Sequence, residues 1–200
     1  MDKVLVAYTT NSGSTEDVAR LIAEELGKEG AAVDLLRLDD VTSLEPYTAV
    51  VLGAPMIMGW HKAALKFVKE HRAALSSKRL AYFIMAMSLT QTDDVQIDGV
   101  PLFIDPALPV APKRPGHLSF RENYATSKKY VRPLLKAAPS LKPLSVAIFG
   151  GSLALFRLKL LQMLFVMLVI RAQAGEKRNY PVIRQWAAEL RTQLMQEDPG

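Results

Sequence analysis

Thr10, Ser12, Ser14 and Thr15 crowd their hydroxyls into one short run, Tyr8-Thr9-Thr10-Asn11-Ser12-Gly13-Ser14-Thr15, which holds one glycine and no lysine or arginine. Hydroxyls at that density can donate hydrogen bonds to an anion. The run lies between an apolar stretch, Val4 to Tyr8, and a helical pattern from Glu16 to Gly27. At a strand-to-helix turn the first N–H groups of the helix lack intrahelical acceptors and stand at the positive end of its dipole. Main chain and hydroxyls then form an anion cradle. The lack of a cation suits a phosphate that stays in place as part of a bound cofactor. A nucleoside triphosphate loop would read G-x-x-x-x-G-K-[ST], and this run does not. The alternative is a plain Ser/Thr helix cap, which needs one hydroxyl rather than several.

Those residues need a scaffold, and the chain reads as alternating strands and helices. Residues 3–8 form the first strand, about 15–28 the first helix, ended by Gly30, and 32–38 the second strand. Tyr47 to Gly53 is the third strand. Its core, Ala49-Val50-Val51-Leu52, is apolar throughout, the mark of a strand buried on both faces of a parallel sheet. A helix is expected over about 61–75, a fourth strand over 80–87, a fifth over 144–149 and a last helix over about 180–195. That last helix opens on Asn179-Tyr180-Pro181, an N-cap followed by an early proline. Five such strands make a doubly wound α/β parallel sheet with the order 2-1-3-4-5, whose ligands bind at the carboxyl ends of the strands, near the β1/β3 switch point. Residues 1–200 are read as one domain with insertions at about 88–120 and 151–175.

Composition narrows the chemistry. The 200 residues suffice to bury a core, and half are hydrophobic. There is no cysteine, which removes disulfides, thiolate metal sites and cysteine catalysis and fits a reducing compartment. Met-Asp-Lys leads at once into a strand, so no signal peptide is expected and the location is read as cytoplasmic. Charge is unevenly spread: residues 1–112 carry ten Lys/Arg against fifteen Asp/Glu, and residues 113–200 carry fifteen against five. The second half therefore suits an anionic surface. Within it, Lys128, Arg132 and Lys136 form a basic stripe on a helix expected over about 121–138, which Pro133 should kink or divide. No helix-turn-helix, zinc-finger or RNA-recognition signature accompanies these charges, so no nucleic-acid partner is expected.

Two further loops share the edge of the hydroxyl-rich turn. Gly53-Ala54-Pro55-Met56-Ile57-Met58-Gly59-Trp60-His61 follows the third strand and Met87-Ser88-Leu89-Thr90-Gln91-Thr92 the fourth. Trp60 can cover a planar ligand or pack in the core, and His61 can serve as a proton donor or as a helix-opening surface residue. From residue 88 to about 120 the chain shows no periodic structure and is punctuated by Pro101, Pro106, Pro109, Pro112 and Pro115. It is read as a long loop: a lid, an oligomer contact, or a surface-hugging insertion with no role in chemistry. The stretch from Leu153 to Arg171 is strongly apolar, with Arg157 and Lys159 near its start. Its uninterrupted apolar run is too short to span a bilayer. It can lie in an anionic membrane interface or bury itself within the molecule or against a second copy.

The run Val6-x-Tyr8-x-Thr10-x-x-Gly13-x-Thr15-x-x-x-Ala19-x-x-Ile22 resembles the FMN phosphate signature of flavodoxins, with Ala7 smaller than is usual there. The resemblance implies a flavodoxin-like fold and FMN as cofactor. It places the phosphate on Thr10, Asn11, Ser12, Gly13, Ser14 and Thr15. It places the isoalloxazine ring between Pro55, Met56, Ile57, Met58, Gly59 and Trp60 on one side and Ser88, Leu89 and Thr90 on the other. The inserted apolar-basic segment, the Phe149-Gly150-Gly151 turn and the Ala174-Gly175-Glu176 exit are similar to those of the menaquinone-dependent protoporphyrinogen dehydrogenases, which are flavodoxin-type FMN enzymes of heme synthesis. That subfamily carries an Arg-Tyr-Gly-His-like run where this chain has Met56-Ile57-Met58-Gly59-Trp60-His61. The resemblance implies an oxidoreductase, peripheral on the inner face of the membrane, that passes electrons between an organic substrate and a quinone. A non-enzymatic electron carrier is the alternative, and a scaffold without FMN a third.

Overall fold

The computed structural model describes residues 3–11, 13–56, 60–91, 93–153 and 175–195. The apolar runs become strands: β1 (Lys3–Tyr8), β2 (Ala32–Arg37), β3 (Ala49–Pro55) and β4 (Arg79–Ala86). Between them lie α1 (Ser14–Leu26), α2 (Lys62–Glu70) and α3 (Arg72–Leu75). Four short strands follow, β5 (Leu89–Thr90), β6 (Gln96–Ile97), β7 (Val100–Ile104) and β8 (Pro109–Val110), then α4 (Phe120–Tyr124) and α5 (Ser127–Ala137). β9 (Ser145–Gly150), the paired β10 (Ser152–Leu153) and β11 (Gly175–Glu176), and α6 (Tyr180–Met195) complete the order.

The main sheet has the order β2-β1-β3-β4-β9-β7-β6 and is parallel except for the β6–β7 pair. Its first five positions reproduce the expected 2-1-3-4-5. β3 and β9 are buried at every residue, so each strand feeds two cores with alternate side chains. Val50, Leu52, Tyr82 and Ile84 pack beneath α2 and α5, with Phe67, Val68, Tyr130 and Leu134. Val51, Phe83 and Phe149 pack on the other side, with Ile22 from α1 and Trp186 from α6. The sheet is thus sandwiched between two helical layers.

Three expectations are corrected. The stretch 88–120 is not a structureless loop: β7 pairs in parallel with β9, matching Leu102 to Val146 and Ile104 to Ile148, and widens the sheet. The prolines conceal it because Pro101 pairs with Gln96 of the two-residue edge strand β6, where a missing N–H is tolerated. The helix expected over 121–138 is divided at Ala125 and Thr126, not at Pro133, which lies inside α5. There Thr126 takes an extended conformation and the Ala125 carbonyl accepts the Thr90 N–H at 2.7 Å, so tertiary bonding sets the break. The helix expected over 61–75 is likewise interrupted at His71 (φ −99°, ψ 13°). The apolar stretch after Leu153 lies outside the described residues up to Ala174, and among the described residues no helix is long and apolar enough to cross a membrane.

The α1–α6 layer is held by Glu25. Its carboxylate is nearly buried, accepts from Lys28 Nζ at 2.7 Å and lies 3.6 Å from both Arg184 and Arg191. The Lys28 hydrogen bond, with the arginines behind it, holds this carboxyl below its usual range against the opposing effect of burial. Because its folded pKa is depressed, the stabilisation is complete above the ordinary carboxylate range and fades as pH falls through the lowered value. Glu25→Gln should cost about 1–3 kcal/mol at neutral pH, and the gap from wild type should close on acidification; denaturant titrations at pH 7 and in acid check both. Gly53 shows the tightness of the opposite packing, since a Cβ there would fall 1.8 Å from the Phe83 ring. Gly53→Ala should destabilise by at least about 1–3 kcal/mol, read as a lowered thermal midpoint.

Candidate functional site at the carboxyl edge of the sheet

β1 and β3 are parallel neighbours, yet β1 leads to α1 in one helical layer and β3 to α2 in the other. Their connections therefore diverge and leave a crevice at the carboxyl edge. The Thr9 N–H donates to the Gly53 carbonyl at 3.0 Å, which extends the ladder by one step before the chains part. Thr10 Oγ1 then accepts the Gly13 N–H at 2.9 Å, and Gly13 adopts φ 92°, a left-handed conformation that glycine takes without strain.

α1 begins without a side-chain cap, despite the hydroxyls around it. Ser14 Oγ instead accepts the Ser152 N–H at 2.8 Å, and Thr15 is almost completely buried. As acceptors in these bonds, Thr10 and Ser14 keep their own hydroxyl hydrogens to donate. The two acids of the first turn are held by cations, Glu16 by Arg20 at 3.3 Å and Asp17 by Arg178. What stands at this helix start is a set of main-chain N–H and hydroxyl donors, with no cation in the loop sequence and, among the described residues, no side-chain cap occupying them. That donor set fits a phosphate. Asn11 lies beside it, half-buried, and Ser12 is outside the described residues.

Pro55 at the end of β3 and Met56 after it are buried, the Met56 N–H donates to the Met85 carbonyl at 2.9 Å, and Met56 bridges back to Trp60. Ile57, Met58 and Gly59 lie outside the described residues. Trp60 resolves its two alternatives toward packing: its ring is 7% exposed within the core, and its indole N–H donates to the Tyr130 carbonyl. After β4, Leu89 is also core. Thr90 is committed to the fold, its N–H donating to Ala125 and its hydroxyl to the Glu122 carbonyl, each at 2.7 Å. Ser88 remains half-buried, its carbonyl accepting the Tyr130 hydroxyl at 2.8 Å. Burial pushes that Tyr130 hydroxyl up to about 12, so it stays a donor throughout the neutral range.

The structure thus brings Thr10, Asn11, Gly13, Ser14 and Thr15 to one edge with Pro55, Met56 and Ser88. It adds residues that sequence reasoning missed. Thr9 Oγ1 lies 3.4 Å from His61 Nδ1 across the crevice. The Lys177 N–H donates to Gly151 at 3.1 Å, and its Nζ donates to the Met87 carbonyl at 3.0 Å, which sets a cation beside the β4 loop. The Gly150-Gly151 pair signals this approach, because a Cβ on Gly150 would fall 2.1 Å from the Lys177 carbonyl oxygen.

Comparison with known proteins agrees with this geometry. Residues 5–179 match the family model described as the flavodoxin domain. Oxidised flavodoxin 1 from Bacillus cereus superposes with a TM-score of 0.54 over 98% of this chain and 100% of that one, at 16% identity. A flavodoxin from the domain Archaea gives 0.53 over 97% and 99%, at 11% identity. These structures share the fold. In sequence, the chain is 32% identical over 84 residues to "Protoporphyrinogen IX dehydrogenase [quinone]" of Escherichia coli strain K12; the matched stretch covers 40% of this chain and 46% of the relative, about half its length. The chain therefore belongs to the flavodoxin domain family, whose cofactor is FMN.

Proposed function

We propose that this protein is an FMN-dependent oxidoreductase that passes electrons between an organic substrate, with protoporphyrinogen the leading candidate, and a quinone. It works at the inner face of the membrane as a peripheral protein. The observation that carries this reading is the stretch 32% identical to a quinone-linked protoporphyrinogen IX dehydrogenase within a chain that matches the flavodoxin domain over residues 5–179. Bound FMN would supply the redox chemistry. The protein's own part is to hold the phosphate with Thr10, Asn11, Gly13, Ser14, Thr15 and the first N–H groups of α1. Pro55, Met56 and Ser88, with the loop residues 57–59, would bracket the ring. A flat, apolar substrate with carboxylate arms suits an edge that carries Lys177 and the apolar side chains of the 88–120 stretch. An electron carrier without a substrate of its own is the second reading, favoured by the likeness of the whole chain to flavodoxins.

Thr10→Ala and Thr15→Ala should each weaken FMN binding, because a hydrogen bond to a charged group is worth roughly 1.5–3 kcal/mol, or at least tenfold in affinity. A flavin fluorescence-quenching titration measures this, and wild-type protein with no affinity for FMN would remove the basis of the proposal. The enzyme and carrier readings separate on anaerobic mixing of the FMN-loaded protein with protoporphyrinogen. The enzyme loses its visible flavin absorbance on mixing and recovers it on adding a menaquinone. A carrier leaves the absorbance unchanged with protoporphyrinogen and responds only to a protein reductase.

A further inference from the structure

The charge asymmetry of the sequence takes a different form in three dimensions. The arginines of the closing segment are paired with the acids of α1 and of the turn after it: Arg178 with Asp17, Arg184 with Glu24 and Glu25, and Arg191 with Glu25 and Glu29. That layer is neutralised within itself. In the opposite layer, Lys128 pairs with Asp94 at 2.9 Å and Arg132 with Asp98 at 3.2 Å, so two members of the basic stripe are also compensated. Lys113, Arg114, Lys129 and Lys136 make no ion pair among the described residues, and Lys62 on the neighbouring α2 makes none either.

Lys62, Lys113, Arg114 and Lys129 lie at one end of the strands, whereas Lys136, with Lys69, Lys78 and Lys142, lies toward the other. α2 and α5 each follow the carboxyl end of the sheet and run back against the strands, so Lys62 and Lys129 lie near that edge. β8 pairs with β5 immediately beyond β4, which holds Val110 and the chain from Lys113 to Phe120 at the same edge. Three apolar side chains stand out there: Phe120 is 77% exposed, Val110 65% and Leu118 38%. They are held in place rather than left loose. The Glu122 carboxylate accepts from the Lys113 N–H at 2.7 Å and from the Ser119 N–H at 2.8 Å, closing a capping box at the start of α4. These bonds, led by the Ser119 hydroxyl, bring the Glu122 carboxyl down to about 2. Beside Leu118 opens a cleft of about 890 Å³ whose lining joins Lys128, Lys129, Arg132 and Lys136 to the acids Asp93 and Asp94. The β10–β11 stem, from which the apolar stretch of the sequence departs, leaves the same edge after β9.

We infer that this carboxyl edge is the face that docks on an anionic lipid bilayer, with Phe120, Leu118 and Val110 entering the interface and Lys113, Arg114 and Lys129 meeting headgroups. The inference rests on the peripheral-membrane reading above and goes further by assigning the surface. Exposed apolar side chains with cations that make no ion pair at the same edge match a layer that is anionic outside and apolar beneath. An acidic protein partner would match the charges but not the exposed Phe120, Val110 and Leu118.

The test is cosedimentation of the full, FMN-loaded chain with phosphatidylglycerol-containing vesicles and with pure phosphatidylcholine vesicles. Wild type should bind the anionic vesicles and be released by salt. The pair Leu118→Glu and Phe120→Glu, and separately the triple Lys113→Glu, Arg114→Glu and Lys129→Glu, should each lose at least tenfold in binding while keeping FMN and the wild-type circular dichroism. Gln185→Glu with Gln193→Glu on α6 should bind as wild type. A Phe120→Trp variant needs no disruptive change, and its added emission should be quenched by lipids brominated in the acyl chain. Unquenched emission in a vesicle-bound protein, or edge variants that bind as wild type, would overturn the docking face while leaving a peripheral protein. Failure of wild type to bind either vesicle would remove both readings, and binding to polyglutamate in its place would assign the edge to an acidic protein.

Discussion

Where β1 and β3 lie side by side, the chain must send one connection over each face of the sheet, because both strands are buried on both sides and neither face can be left without helices. The crevice is the direct result. The step from Thr9 to Gly53 is the last hydrogen bond the two strands share before they diverge. Beyond it the first main-chain N–H groups of α1 have no intrahelical acceptor and, among the described residues, no side-chain cap. Packing behind the crevice keeps it in position, since Gly53 is pressed against the Phe83 ring and cannot shift without disturbing the core below. The anion cradle is thus less a separate device than the unfinished end of a packed sheet.

Around that opening, loops distant in sequence fasten to one another. Ser14 accepts from Ser152, Lys177 donates to Met87, and Arg178 meets Asp17. These contacts join the exits of β1, β4 and β9 to the entry of α6. Trp60 and Thr90, though placed in the expected loops, are drawn into the fold by other bonds. Both serve to seat α4 and α5 against the sheet, Trp60 through the Tyr130 carbonyl and Thr90 through Ala125 and Glu122.

The strands that carry the site were legible because Ala49 to Leu52 are apolar without interruption, and such a run has few places to go except a doubly covered sheet. The hydroxyl-rich turn was legible because its residue types and spacing are local. What escaped was decided by distance along the chain. Val100 to Ile104 read as loop because Pro101 masks a strand whose partner, β9, lies more than forty residues away. The division at Ala125 depends on a bond from Thr90, and the role of Lys177 depends on the bare backbone of Gly150. The charge of the second half was visible as a total, but its cancellation against α1 was not, because helix pairing across a sheet leaves no trace in composition.

The paired β10 and β11 have one further consequence. Ser152 stands opposite Glu176 and Leu153 opposite Gly175, so the two ends of the intervening sequence are held side by side. For a loop whose ends already meet, the entropy of closure grows only slowly with its length, and the sheet register is indifferent to what is carried between them. The stretch between the two strands is therefore a cassette. It can lengthen, shorten or change character under selection while that pairing stays as it is, which lets one scaffold be addressed to different surroundings without being rebuilt.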